Sequence, residues 1–168
     1  LTASYRQECD AVIDRTERSR IDPKVSLITY TNLDRLPLLT AFATVTPTFG
    51  VWTPQLSAGF VKQWAEAEID GKPVRYDRPI FRISLNNSLR LPAGLLFTLD
   101  VRYRSKGDER NLYLTDDVWV VNMGLTRSFF SDRLSVMLRG WDVFRGEGGG
   151  AIYRSPHMVL YQVDRYDS

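Results

Sequence analysis

The chain has 168 residues, with 22 Lys and Arg against 20 Asp and Glu and a formal charge of +2, and it is rich in Tyr, Phe and Trp. That length suits one domain able to bury a core. The charge is too small, and the basic residues too scattered, to imply a nucleic-acid or polyanion partner.

The longest unbroken apolar stretches, such as Gly94 to Phe97 and Val118 to Val121, are far short of the roughly 20 residues that a membrane-crossing helix needs. The opening residues, Leu1 to Glu8, lack the basic start and apolar centre of a signal peptide. Any targeting segment is therefore expected outside this chain. Cys9 is alone, so neither an internal disulfide nor a thiolate metal cluster can form from these residues.

In chain order, Leu1 to Arg15 and Val25 to Thr46 are strand-like in their Val, Ile, Thr and Tyr content. Cleaner period-two alternation begins at Trp52. Trp52, Pro54, Leu56, Ala58 and Phe60 alternate with Thr53, Gln55, Ser57 and Gly59, which places one apolar and one small or polar series on opposite faces of a strand. Phe81, Ile83, Leu85, Leu89 and Leu91 then oppose Arg82, Ser84, Asn86, Ser88 and Arg90, with Asn87 the exception on the apolar side. Leu95, Phe97, Leu99, Val101 and Tyr103 alternate with Leu96, Thr98, Asp100, Arg102 and Arg104. Trp119, Val121, Met123, Leu125 and Phe129 oppose Asn122, Gly124, Thr126 and Ser128, and Leu134, Val136 and Leu138 oppose Ser135 and Arg139.

Tight turns fit Pro47 to Gly50, Leu91 to Gly94 and Ser131 to Arg133. Longer polar connections fall at Thr16 to Lys24, Ile69 to Pro79 with Asp70-Gly71, Ser105 to Asp117, and Arg145 to about Ser155. Strict alternation of short and long connections, with strands apolar on one face and polar on the other, is the pattern of an outer-membrane β-barrel. Phe49, Trp52, Phe129 and Phe130 near short turns, and Trp64, Tyr103 and Trp119 near long loops, suit two interfacial aromatic girdles.

The expected fold is thus all-β, an antiparallel up-and-down transmembrane barrel. The expected lipid-facing residues are Trp52, Leu56, Phe60, Ile83, Leu85, Phe97, Leu99, Val101, Val121, Leu125, Leu134, Val136 and Leu138. The expected lumen-facing residues are Arg82, Arg90, Asp100, Arg102 and Arg104, with Arg102, Arg104 and Asp100 forming an inward ladder toward Lys106. A soluble sandwich or small barrel also alternates. Its interior, however, holds only side chains or one small ligand, and five charged inward residues would crowd it.

Catalytic and metal chemistry find little support. His157 is the single histidine, so a two-histidine metal site cannot form, and its position fits a loop or an exposed strand extension. No serine sits in a Gly-x-Ser-x-Gly elbow. Gly146-Glu147-Gly148-Gly149-Gly150 lacks the Lys-Ser/Thr of a phosphate cradle and is expected to be a flexible loop. Asp108-Glu109 and Asp116-Asp117 could contribute oxygen ligands to a hard cation, but they fit solvated loop tips better.

Thr29-Tyr30-Thr31-Asn32-Leu33 through Thr46-Pro47-Thr48-Phe49-Gly50-Val51-Trp52 resembles the Bacteroidetes-type outer-membrane β-barrel family of TonB-dependent receptors. Asp132 to Val136 through Gly140-Trp141-Asp142-Val143-Phe144 looks like that family's penultimate strand, and Arg165 to Ser168 is similar to the start of its final strand. The resemblance implies about seven to eight strands of a larger barrel of about 22 strands in the bacterial outer membrane, with residues 1–168 being the C-terminal part of the barrel domain. It also implies a plug domain and a TonB contact through an N-terminal region outside this sequence, and uptake of an unidentified small-molecule substrate such as a metal chelate. No cofactor, catalytic residue or glycan substrate is carried over. The alternatives left open are a passive porin-like or structural barrel and a soluble β-rich ligand carrier.

Overall fold

The computed structural model describes residues 1–19, 21–22, 24–69, 72–131, 133–155 and 158–165. It consists of strands β1 (Thr2–Arg18), β2 (Ser26–Val45), β3 (Gln55–Gln63), β4 (Ala65–Ile69), β5 (Lys72–Tyr76), β6 (Ile80–Leu91), β7 (Leu95–Arg104), β8 (Gly107–Glu109), β9 (Leu112–Leu114), β10 (Val118–Phe129), β11 (Leu134–Gly140), β12 (Gly148–Ser155) and β13 (Met158–Arg165). Seven of them form an antiparallel sheet in the order β1-β2-β3-β6-β7-β10-β11. Each neighbour in that sheet follows its predecessor along the chain once the short hairpins are set aside, so the sheet is an up-and-down meander.

The register aligns the alternating series across strands. Ile83 lies opposite Tyr103, and Tyr103 opposite Trp119. Leu56, Leu85, Val101 and Val121 form one row, and Leu89, Phe97, Leu125 and Leu138 another. Phe60 faces Phe81, Leu99 faces Met123, Leu134 faces Phe129, and Val136 faces Arg127. The expected lipid-facing strand residues therefore share one face. That face is uncovered: Trp119 is 52% exposed, Val136 54% and Leu138 73%.

Among the members of the face that are not apolar, which include Lys62 opposite Leu39, Asn87 and Arg127 each have a physical account. Asn87 accepts a hydrogen bond from the Trp52 indole N–H, so its amide oxygen is satisfied among apolar neighbours. Arg127 places its guanidinium 4.7 Å from the Phe129 ring centre, close to the short turn, where a long cationic side chain can reach toward water.

The turns follow their local chemistry. Phe49 and Trp52 exchange backbone hydrogen bonds of 2.8 and 3.1 Å around Gly50, which has φ +59°, and their rings stack at 5.2 Å. Trp52 makes only isolated bridges, and β3 begins at Gln55. The expectation that Trp52 and Pro54 start this strand is corrected, because Pro54 has no N–H for a ladder. Pro92–Gly94 forms a single 3₁₀ turn between β6 and β7. In the third expected tight turn, Asp132 lies outside the described residues, as do Asp70-Gly71, His157 and the last three residues.

Three of the expected long connections carry strands of their own. β4 pairs with β5, β8 with β9, and β12 with both β9 and β13, giving a two-stranded and a four-stranded sheet. The connection expected at Thr16 is also shorter, since β1 continues to Arg18. Small ribbons of this kind need no sustained apolar alternation, so period two gives no sign of them. A small core forms where the longest strands meet the first ribbon, from Ala11, Leu36, Ala65 and Tyr76.

Candidate functional site

The polar face of the seven-stranded sheet carries the candidate lumen residues. Arg82 lies directly opposite Arg104, and Arg102 lies opposite Ser84 and Val120. Arg104 and Arg102 are two positions apart on β7, so all three guanidiniums project from one patch of one face. They line a cavity of about 620 Å³ together with Glu147 and Gly148 to Gly150.

The cavity is covered by the Gly-rich segment, which enters strand β12 instead of forming the expected flexible loop. Its course is set at Asp142, which is 7% exposed and adopts φ +44°. Its two carboxylate oxygens accept the backbone N–H groups of Gly146 and Glu147, both at 2.8 Å. At Gly146 the chain passes so close to β10 that a Cβ would stand 1.7 Å from the Trp119 carbonyl oxygen, and only glycine fits there. Asp116 Oδ2 accepts the N–H of Gly150 at 2.6 Å, and Gly150 N–H to Asp116 and Thr115 N–H to Gly150 O at 2.9 Å tie β12 to the end of β9.

Of the expected solvated carboxylates, Asp116 and Asp117 do lie exposed in a loop, yet they also accept backbone N–H groups. Asp117 Oδ1 accepts the backbone N–H of Lys106 at 2.8 Å. Asp108 is 6% exposed, and its Oδ2 accepts the Arg78 N–H at 2.9 Å. Burial raises the Asp108 pKa above its ordinary value, opposed by the hydrogen bond and positive charge of Arg78. Asp108 alone of the four is buried; Glu109, Asp116 and Asp117 are exposed, as expected. Asp108, Asp116 and Asp117 each reach a backbone N–H because β8, β9 and β12 pair beside them, and those short strands left no sign in the sequence. Among the described residues, no group of three or more His, Cys, Asp or Glu side chains could hold a metal ion.

The expected ladder of Asp100 with Arg102 and Arg104 is split. Asp100 pairs across the sheet with Asn86 and Asn122 and lines a second, lower cavity of about 450 Å³ with Ser88, Thr98 and Arg139. Arg90 lies outside both cavities and is exposed near the Val51 turn, where its backbone N–H reaches the Val51 carbonyl at 3.2 Å. Lys106 contributes its backbone, and its side chain is exposed. Glu147 and Arg139 were not singled out from the sequence as site residues. Arg139 carried a usable signal, its place in the polar series of β11.

Residues 1–159 match the outer membrane protein beta-barrel family. The chain belongs to that family. No curated protein and no solved structure matches it. Membership of this outer-membrane barrel family places the chain in the bacterial outer membrane and accounts for the two unlike faces of its sheet.

Proposed function

We propose that this chain forms part of the wall of a transporter that takes up a scarce nutrient, such as a metal chelate, across the outer membrane with energy delivered through TonB. In this reading the wall is not an enzyme. The observation that carries it is the division of one sheet into an uncovered apolar face and a polar face whose arginines surround a cavity. The apolar face would meet lipid, since every backbone group within a bilayer must be paired and a barrel wall achieves this through its neighbours. On β10, Trp119 and Phe129 are ten positions apart, about 34 Å at ~3.4 Å per residue. A tilt of roughly 40° reduces that to about 26 Å, close to the ~25 Å apolar band of such barrels.

The partners in this reading are outer-membrane lipid, the remainder of the barrel, a plug domain and TonB. The test is uptake of radiolabelled iron, supplied as chelates, by cells with and without the gene. The expected result is uptake that needs the gene and stops when an uncoupler collapses the proton gradient. Uptake that ignores the uncoupler, with steady conductance in planar bilayers, would instead identify a passive porin-like barrel.

A further inference from the structure

We infer that the cavity beneath β12 is a binding site for a small multivalent oxyanion bearing carboxylate or phosphate groups, held by Arg82, Arg102 and Arg104. The inference deepens the transporter reading and rests on it only for the anion's role as cargo. Two observations point the same way, and a third shows how Arg104 is held. First, three guanidiniums line the cavity against one carboxylate, that of Glu147. Among the described residues, the ion pairs are Arg6 with Glu8 and Arg75 with Glu66, so none of the three arginines is neutralised by a neighbour. Second, Arg82 and Arg104 are direct cross-strand partners. Directly opposed side chains start about 4.5–5.5 Å apart at Cβ, and like charges there repel.

Third, Nε of Arg104 is fully buried and has no hydrogen-bond partner. Closed to water, Nε is closed to a ligand as well, so Arg104 would meet an anion in the cavity through its terminal Nη groups. Its guanidinium also lies against the cover, since a Cβ added at Gly149 would stand 3.4 Å from Arg104 Nη2. The nearby acid Asp116 is committed to the Gly150 N–H and the Thr115 hydroxyl. A ligand with several anionic oxygens would answer the first two conditions. It would separate the opposed charges and use the planar fork that guanidinium presents to carboxylate and phosphate. A volume of about 620 Å³ lies within the ordinary range of small-molecule sites, roughly 300–1,000 Å³.

The test is calorimetric titration of the full-length protein in neutral detergent with citrate, inorganic phosphate and uncharged sorbitol at fixed ionic strength. Citrate or phosphate is expected to bind and sorbitol is not. Arg102→Gln and Arg104→Gln should each weaken binding at least tenfold, whereas Arg90→Gln, on the same face but outside the cavity, should leave it unchanged. Arg104→Lys should retain part of the affinity, because the charge survives and the fork does not. Anion should raise the Tm of the wild type, and Arg104→Gln without anion should melt no lower than wild type, which separates lost binding from lost folding. Absence of anion binding, or equal loss in Arg90→Gln, would overturn the assignment. Because binding is read without transport, failure here leaves the uptake experiment standing, and failure of uptake leaves this one standing.

Discussion

The backbone N–H of Asp142 donates to the side-chain Oδ1 of Asn122 at 2.9 Å, so the residue that turns the chain after β11 is anchored to the polar face of β10. The neighbouring Val143 N–H continues the pairing by reaching the Val121 carbonyl at 2.9 Å. Asp142 thus links the wall to the cover, with its backbone on one and its carboxylate on the other. Asp142→Ala removes an acceptor of two N–H groups and places alanine at a left-handed φ. It should destabilise the segment by about 2–4 kcal/mol, while Asp142→Asn, which tolerates that conformation, should cost less. Limited proteolysis between residues 141 and 150 reads the difference, and equal protease resistance in wild type and Asp142→Ala would refute it.

The Trp52 to Asn87 hydrogen bond makes a second prediction. Asn87→Leu alone should strand the indole N–H, whereas Trp52→Phe with Asn87→Leu removes both polar partners. A double-mutant cycle on urea unfolding of the reconstituted protein should therefore give a coupling of about 1 kcal/mol. Additive effects would mean that the asparagine sits on the apolar face for another reason.

Leu85 and Asn86 are adjacent on β6 and belong to opposite faces. If the apolar face meets lipid, Leu85→Arg should cost about 2–4 kcal/mol, and Asn86→Arg close to nothing. Folding into vesicles followed by tryptophan fluorescence measures both, and equal penalties would argue against lipid on that face.

Asp108 gives a pH dependence whose sign differs from the usual carboxylate. Burial raises its folded pKa above the ordinary 3.8, so between the unfolded and folded values the native state binds more protons. Its contribution to stability is full below about pH 3.8 and is lost as pH rises through the folded pKa. Unfolding followed from pH 3 to pH 7, about the range in which carboxyl groups titrate, should show this trend in wild type and a flatter one in Asp108→Asn. Identical profiles would exclude Asp108 as the source.

The seven-stranded sheet was legible in the sequence because period two is a strong signal over long strands with two unlike environments. Leu85, Val101 and Val121 could be placed together from their strands' alternation alone. The hairpins at Ala65–Tyr76 and Gly107–Leu114 were not legible, because short ribbons impose no such pattern on their residues. Asp116 does stand exposed in a loop as expected, but for the same reason its acceptance of the Gly150 N–H, from a strand 34 residues away, was not legible. The arginine patch was half legible. Arg82, Arg102 and Arg104 were placed on one face, but their separation from Asp100 depends on where β12 crosses, which the Asp142 turn decides.

The register of the sheet constrains how such a chain can change over time. Loss of one residue inside β6, β7 or β10 would exchange every apolar and polar side chain beyond it, presenting arginines where leucines stand. Loss of two would keep the faces and merely slide one strand along its neighbours. Length variation within the wall should therefore proceed in even steps, while the connecting hairpins, free of that parity, can gain or lose residues one at a time.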